Sequence, residues 1–319
     1  MTVNKLTREE VYNKEDHELL SSCTLCPREC GIDRFESGDG YCGMNAGMNI
    51  ASICIHRGEE PPISGPDGIC NIFFAGCNLR CVYCQNHEIS RPDQKEGINL
   101  MNLREALDEI ERILSTGVKA VGFVSPSHVV PQVKAIIKGI HERGFNPITV
   151  YNTNSYDKAE TIRSLNGLID VYLPDYKYIT PAIAGRYSDA ADYPEVALKA
   201  LKVMYHQKGS VLVMDNEGRA ENGILIRHLV LPDHAGESKK VLLSIAEELS
   251  TGVHISLMSQ YHPTAAVKYL SPLNRVLYGE EYNSVVQVME DLGFRNGWTQ
   301  DIESHLNYRP DFKKKHPFE

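Results

Sequence analysis

The stretch Ile69-Cys70-Asn71-Ile72-Phe73-Phe74-Ala75-Gly76-Cys77-Asn78-Leu79-Arg80-Cys81-Val82-Tyr83-Cys84-Gln85-Asn86 decides how this chain is read. Its first half is a short apolar run of the kind that forms a buried strand. Its second half places three cysteines in C-x3-C-x2-C spacing, close enough for three thiolates to wrap one corner of a cubane. A fully protein-ligated [4Fe–4S] cluster needs four thiolates, so three leave one iron open to bind something else. A structural zinc knuckle is the alternative for such a run. The fixed spacers, and the aromatic Tyr83 just before the last cysteine, favour the cluster.

Working outward, apolar runs alternate with amphipathic stretches. Strands are expected at 69–76, 120–125, 148–153, 169–175, 224–231 and 253–261. Helical periods fall between and after them, at 104–116, 130–142, 158–165, 193–208, 238–249 and 283–292, with Gly117, Gly144 and Gly293 placed as stops. Six β–α units in succession predict a parallel sheet with right-handed crossovers. The expected fold is α/β, a partial (βα)6 TIM-type barrel open on one side, with a Cys-rich N-terminal metal-binding segment. A doubly wound open sheet is the alternative. The expected organisation is an N-terminal arm and metal knuckle over 1–68, the core over 69–293 and an extension over 294–319, which holds the single Trp298.

The chain has 319 residues and a net charge of −9, which argues against a nucleic-acid partner. The Lys313-Lys314-Lys315 run reads as a solvated tail. No apolar run approaches the roughly 20 residues of a membrane span, and the charged start lacks a secretory h-region. A soluble, cytoplasmic protein is expected. Seven of the nine cysteines fall into two tight clusters, which in a reducing compartment read as metal ligands. Cys54 and Cys70, isolated among isoleucines, read as buried free thiols. The second cluster, Cys23, Cys26, Cys30 and Cys42, has C-x2-C-x3-C-x11-C spacing, which suits one tetrahedral zinc or one cubane. Its Gly-rich surroundings have little core of their own and would owe much of their folding to the metal.

C-x3-C-x-aromatic-C after an apolar strand resembles the signature of radical S-adenosylmethionine (SAM) enzymes. The wider wording, from Cys23 through Gly58-Glu59-Glu60-Pro61-Pro62-Ile63-Ser64-Gly65 to Gln85-Asn86, resembles the pyruvate formate-lyase activating enzyme-like branch. The resemblance implies a [4Fe–4S] cluster on Cys77, Cys81 and Cys84, with SAM chelating the open iron. It also implies a (βα)6 core, and reduction by a flavodoxin or ferredoxin-type donor. The chemistry implied is cleavage of SAM to a 5′-deoxyadenosyl radical that abstracts hydrogen from a substrate, with activation of a glycyl-radical enzyme as the leading case. The alternatives are radical modification of a small molecule or another protein side chain, and, in another class, an iron–sulfur electron carrier or redox sensor.

Candidate SAM contacts follow at successive strand ends, where sites form in parallel α/β folds. Tyr83 would lie against adenine or pack over the cluster. After the second strand, Ser125 and His128 stand where relatives often carry Gly-Gly-Glu. Asn152 and Thr153 resemble an activase Asp-Thr-Asn-Gly run with Asn replacing Asp, and Asp175 with Lys177 matches its Asp-x-Lys. That pair of strand ends would offer oxygens to a monovalent cation beside the SAM carboxylate. Arg227 resembles a SAM-contacting arginine whose fork suits carboxylate or ribose oxygens, and His262 an imidazole reaching the adenosyl group.

Overall fold

The computed structural model describes residues 11–91, 100–306, 310–312, 314 and 317–318. The charged start Met1–Glu10, and Lys313 and Lys315 of the basic run, lie outside the described residues. Strands β2 (Ile69–Phe74), β3 (Ala120–Val124), β4 (Ile148–Thr153), β5 (Val171–Pro174), β7 (Ala220–Leu229) and β8 (His254–Met258) pair in that order, all parallel. All residues of β2, β3 and β5 are buried, as expected of strands covered on both faces. These are the six strands of the expected partial barrel.

The sheet extends beyond both expected edges. β1 (Ile50–His56) pairs antiparallel with β2, and β9 (Gly297–Thr299) pairs parallel with β8. The divisions anticipated near residues 68 and 293 are therefore crossed by backbone pairing. Gly297 makes the second crossing possible: at φ 126°, a Cβ there would lie 1.9 Å from the Ile255 carbonyl oxygen. A short ribbon, β6 (Val213–Met214), folds back on β7.

Helices cover the sheet between strands. α1 (Lys14–Ser21) belongs to the N-terminal arm, and α2 (Pro61–Ser64) and α3 (His87–Ser90) are single turns beside the first loop. α4 (Leu103–Leu114) starts at an Asn102–Glu105 capping box and buries Ala106, Leu107, Ile110, Ile113 and Leu114. α5 (Val130–Glu142) opens on Pro131 in its first turn and closes ahead of Gly144 at φ 85°. α6 (Ala159–Arg163), α7 (Pro181–Ser188), α8 (Tyr193–Lys208), α9 (Ala235–Glu248) and α10 (Gly279–Asp291) complete the set. Among the described residues no helix is long and apolar enough to cross a membrane.

One core contact reaches the site directly. Gly122 in β3 leaves room for Asn71 of β2, whose Oδ1 would lie 2.1 Å from a Cβ at residue 122. Asn71 Nδ2 then donates to Glu59 Oε1 at 2.9 Å. An interior glycine thus places a carboxylate that faces the strand ends.

Candidate active site

The C-terminal ends of the parallel strands surround a cleft of about 400 Å³. Cys77, Cys81 and Cys84 all line it, on the loop that leaves β2 at Gly76. Gly76 turns at φ 75°, and a Cβ there would strike the Cys42 carbonyl at 2.5 Å. Only glycine lets this loop pack so closely on the N-terminal segment. The three sulfurs already have donors or polar neighbours. The Leu79 N–H (3.4 Å) and Asn154 Nδ2 (3.5 Å) donate to Cys77 Sγ, and Ser90 Oγ donates to Cys84 Sγ at 3.4 Å. Cys81 Sγ and Ser188 Oγ lie 3.0 Å apart. Such contacts orient thiolate ligands and tune the potential of a cluster. Burial pushes the Cys77 thiol up to about 12 and raises Cys81 as well, so a metal must displace protons to bind there.

Ser125, Asn152, Asp175, Lys177 and Arg227 stand in the same cleft. Ser125 leaves β3 in the left-handed region at φ 53°, a conformation rare outside glycine, with its N–H bonded to the Asn152 carbonyl at 2.9 Å. The charged groups form one network. Arg227 Nε donates to Asp175 Oδ1 at 2.9 Å, Nη1 to Glu59 Oε2 at 3.0 Å and Nη2 to Asn152 Oδ1 at 2.7 Å. Lys177 Nζ takes the other Asp175 oxygen at 2.7 Å. Burial alone would raise Asp175, but Arg227 and Lys177 outweigh it and hold the carboxyl below its ordinary value.

This network differs from two expectations. The Arg227 fork, anticipated as a SAM contact, is already engaged by three protein oxygens. The oxygens of Asn152 and Asp175, anticipated around a monovalent cation, are occupied by Arg227 and Lys177. The positive charge beside the strand ends is built into the chain.

The other candidates divide. Tyr83 lines the cleft, but its hydroxyl is held by Tyr178 and its ring packs edge-on to Tyr261 at 5.9 Å. Thr153 does not line the cleft; it is buried at the base of the loop, where it donates to Asp157 and accepts from the Ser155 N–H at 3.0 Å. His128 also lies elsewhere, with Nε2 at 2.8 Å from the Ala75 carbonyl, and it lines the N-terminal cysteine cavity. Burial lowers its pKa to about 4 and keeps it neutral. His262 follows Gln260 and Tyr261, which line the cleft, without lining it itself.

The sequence reading did not anticipate Glu60 and His56. Both line the cleft from the segment before β2, and Glu60 Oε2 and His56 Nδ1 are buried without a partner among the described residues. Burial raises the Glu60 carboxyl, with Arg227 acting against that rise. Two adjacent carboxylates ahead of Pro61-Pro62 were the available signal. The C-terminal extension also reaches the cleft, where Phe318 packs on His56 at 4.1 Å.

Residues 71–216 match the model of the radical SAM superfamily. Over that stretch, a little under half of the chain, the sequence is similar to radical SAM domains. An uncharacterized protein of Methanocaldococcus jannaschii, MJ0674, is 27% identical over 280 residues, covering 85% of this chain and 75% of that protein. Among solved structures, Streptococcus suis SuiB bound to precursor peptide SuiA aligns with TM-score 0.50 and 13% identity, over 76% of this chain and 51% of that one. A domain of pyruvate-formate lyase-activating enzyme from Bacteroides vulgatus aligns with TM-score 0.37 and 15% identity, over 54% of this chain and 93% of that domain. The SuiB likeness shows a shared fold. The cleft residues suit the groups a radical SAM domain employs: three thiols on one loop for a site-differentiated cluster, and unsatisfied polar atoms on Glu60 and His56 for an incoming polar molecule.

Proposed function

We propose that this protein binds a [4Fe–4S] cluster through Cys77, Cys81 and Cys84, and SAM at its open iron, to abstract hydrogen from a substrate. The observation that carries the reading is the convergence of all three cysteines with the ends of β2 to β8 on one cleft. When bound, the reduced cluster and SAM supply reductive sulfonium cleavage, giving methionine and the hydrogen-abstracting 5′-deoxyadenosyl radical. The chain's own part is placement and exclusion of water. Phe73, Val124, Leu229 and Met258 give the cleft apolar walls that keep solvent from a reactive species. Arg227 and Lys177 pair with Asp175 and Glu59, so these two carboxylates do not face the SAM carboxylate as uncompensated charges.

Gly-Gly-Glu is absent after β3, and Glu60 is the candidate to replace its carboxylate. Its unpartnered Oε2 would accept from the SAM amino group or a ribose hydroxyl. Glu60→Gln is expected to weaken SAM binding about 10- to 100-fold, the cost of one charged hydrogen bond. Equilibrium binding to the anaerobic protein checks this, and an unchanged Kd would reject Glu60 as a contact.

The acceptor of the radical is best read as a partner protein, with a glycyl-radical enzyme the case suggested by the wording of the sequence around Cys23 to Asn86. An external one-electron donor of flavodoxin or ferredoxin type would reduce the cluster. Anaerobically reconstituted and reduced protein should convert SAM to methionine and 5′-deoxyadenosine even without substrate, the radical then taking its hydrogen atom from C–H bonds of the protein or buffer. No cleavage by protein with a full, reduced cluster would end this proposal.

A further inference from the structure

The strand order ends on β1 at one side and β9 at the other, and the cleft reaches the gap between them. His56 of β1 lines it from one edge, and Trp298 and Thr299 of β9 line it from the other. At the cysteine end the mouth is tied across by side chains. Gln85 Nε2 donates to the Gln260 carbonyl at 3.3 Å, and Thr264 Oγ1 donates to the Val82 carbonyl at 3.2 Å. The side between the two edge strands is therefore the approach for an extended chain.

The C-terminal extension starts on one edge and packs on the other. It leaves β9 through the short helix Ile302–Leu306, yet Phe312 and Phe318 lie against β1 and β2. Phe312 meets the Phe73 ring edge-on at 5.3 Å. Phe318 stands 5.6 Å from Phe73 and 4.1 Å from His56. Phe73 and Val124, two apolar walls of the cleft, form one cluster with Cys54 and Ile89, and both phenylalanines pack on it. Pro310 and Phe318 line the cleft themselves, and Pro317 between the two phenylalanines is buried.

The backbone of this segment closes on itself. The Asp311 N–H bonds the Pro317 carbonyl at 2.8 Å, and the Lys314 N–H bonds the Asp311 carbonyl at 3.1 Å. Lys314 is exposed, so the turn keeps a charge in solvent while the flanking phenylalanines point inward. A backbone contact also reaches the body of the protein: the Phe312 N–H donates to Glu88 Oε2 at 2.9 Å. Glu88 belongs to α3, the turn whose Ser90 donates to Cys84 Sγ, so the segment grips the element next to the cysteine loop. Two aromatic rings and a hydrogen bond to one carboxylate hold a terminal segment in place, yet let it open without unfolding the barrel.

We propose that the side of the barrel between β1 and β9 is a docking strip for an extended, aromatic-bearing peptide segment, and that the C-terminal segment occupies it in the free protein through Phe312 and Phe318. The strip is the surface of His56, Phe73 and Val124, with Glu88 as acceptor for a backbone N–H. A segment of the substrate protein enters the cleft from this side by displacing Phe318. The His56 ring it then meets carries a buried Nδ1 without a partner among the described residues. That the displacing chain is the substrate rests on the proposed function; the occupancy of the strip does not.

The probe is a fluorescently labelled synthetic peptide of residues 307–319, titrated into the full chain. Phe312→Ala/Phe318→Ala protein, with its own segment released, should bind the peptide at least about 10-fold more tightly than wild type, where the resident segment competes. A peptide with both phenylalanines replaced by Ala should not bind. Affinity for the variant no higher than for wild type, binding to neither protein, or equal binding of the two peptides overturns the proposal. Hydrogen exchange on the wild-type chain needs no variant and decides the matter if the double variant does not fold. The Phe312 amide should exchange at least about 10-fold more slowly than in the free peptide, and exchange at the free-peptide rate overturns the proposal. Neither readout uses a cluster or SAM, so failure of the protein to cleave SAM would fall on the proposed function alone.

Discussion

Cys81→Ala is expected to reduce 5′-deoxyadenosine formation by at least about 10³-fold, to the level of protein without a reducible cluster. Cys81 is the central thiol of the three and lies against Ser188 at the edge of the cleft. With two thiolates left on the loop, a second iron would have no protein ligand, and the cluster would be lost or held out of register. The contrast with Ser188→Ala separates ligation from packing. That change removes a polar neighbour of the sulfur, together with the 2.8 Å contact to the Tyr178 hydroxyl, and should lower the rate about 10- to 100-fold, as for other partners of metal ligands. Iron content and single-turnover SAM cleavage, measured on both variants, check the difference. Equal losses in the two would mean that Cys81 acts through packing and not as a ligand.

Arg227→Ala is expected to cost about 3–5 kcal/mol of stability, because it removes the cation from a buried network and leaves two carboxylates facing each other. The side chains of Arg227, Glu59 and Asp175 are 14%, 11% and 17% exposed, so solvent screens them little. Lys177 still holds one Asp175 oxygen, but Glu59 loses its ion pair. Arg227→Lys keeps the charge and loses the fork, and should fall between the two. The midpoint of denaturant unfolding measures the series, and a loss below about 1 kcal/mol for Arg227→Ala would contradict it. The pH dependence gives a second readout. Asp175 is held below its ordinary carboxyl value in the native protein, so its contribution is present above that value and is lost as pH falls through the lowered one. In Arg227→Ala that acid-side loss should shrink, since the main cause of the lowering is gone.

Arg227 also marks where reading along the chain reaches its limit. The sequence pointed to a guanidinium at the end of the fifth barrel strand, and the structure has it there. Its partners come from other elements: Asp175 across an isolated parallel bridge from the end of β5, Asn152 from β4, and Glu59 from the loop after β1. No local pattern states which carboxylate lies within 3 Å of a given arginine. The same limit explains Thr153 and His128. Each lies at a strand end, as expected, yet Thr153 turns to Asp157, and His128 is drawn under Ala75 into the wall of the other cysteine site.

The sequence by itself determined the six β–α units, through apolar runs and helical periods that depend on nearest neighbours along the chain. It also determined the two cysteine groups, because ligand spacing is a property of one loop. Only the tertiary structure decided that the N-terminal segment contributes β1, Glu59, Glu60 and His56 to the barrel and its cleft, and that β9 and Phe318 return from the far end. It alone placed buried Arg34 among Cys23, Cys26, Cys30 and Cys42, with Asn78 leading on to Cys77. The physical reason is range. Periodicity and spacing are written within one turn or one loop, whereas a charge is satisfied by whatever the pairing of distant strands brings within hydrogen-bonding reach.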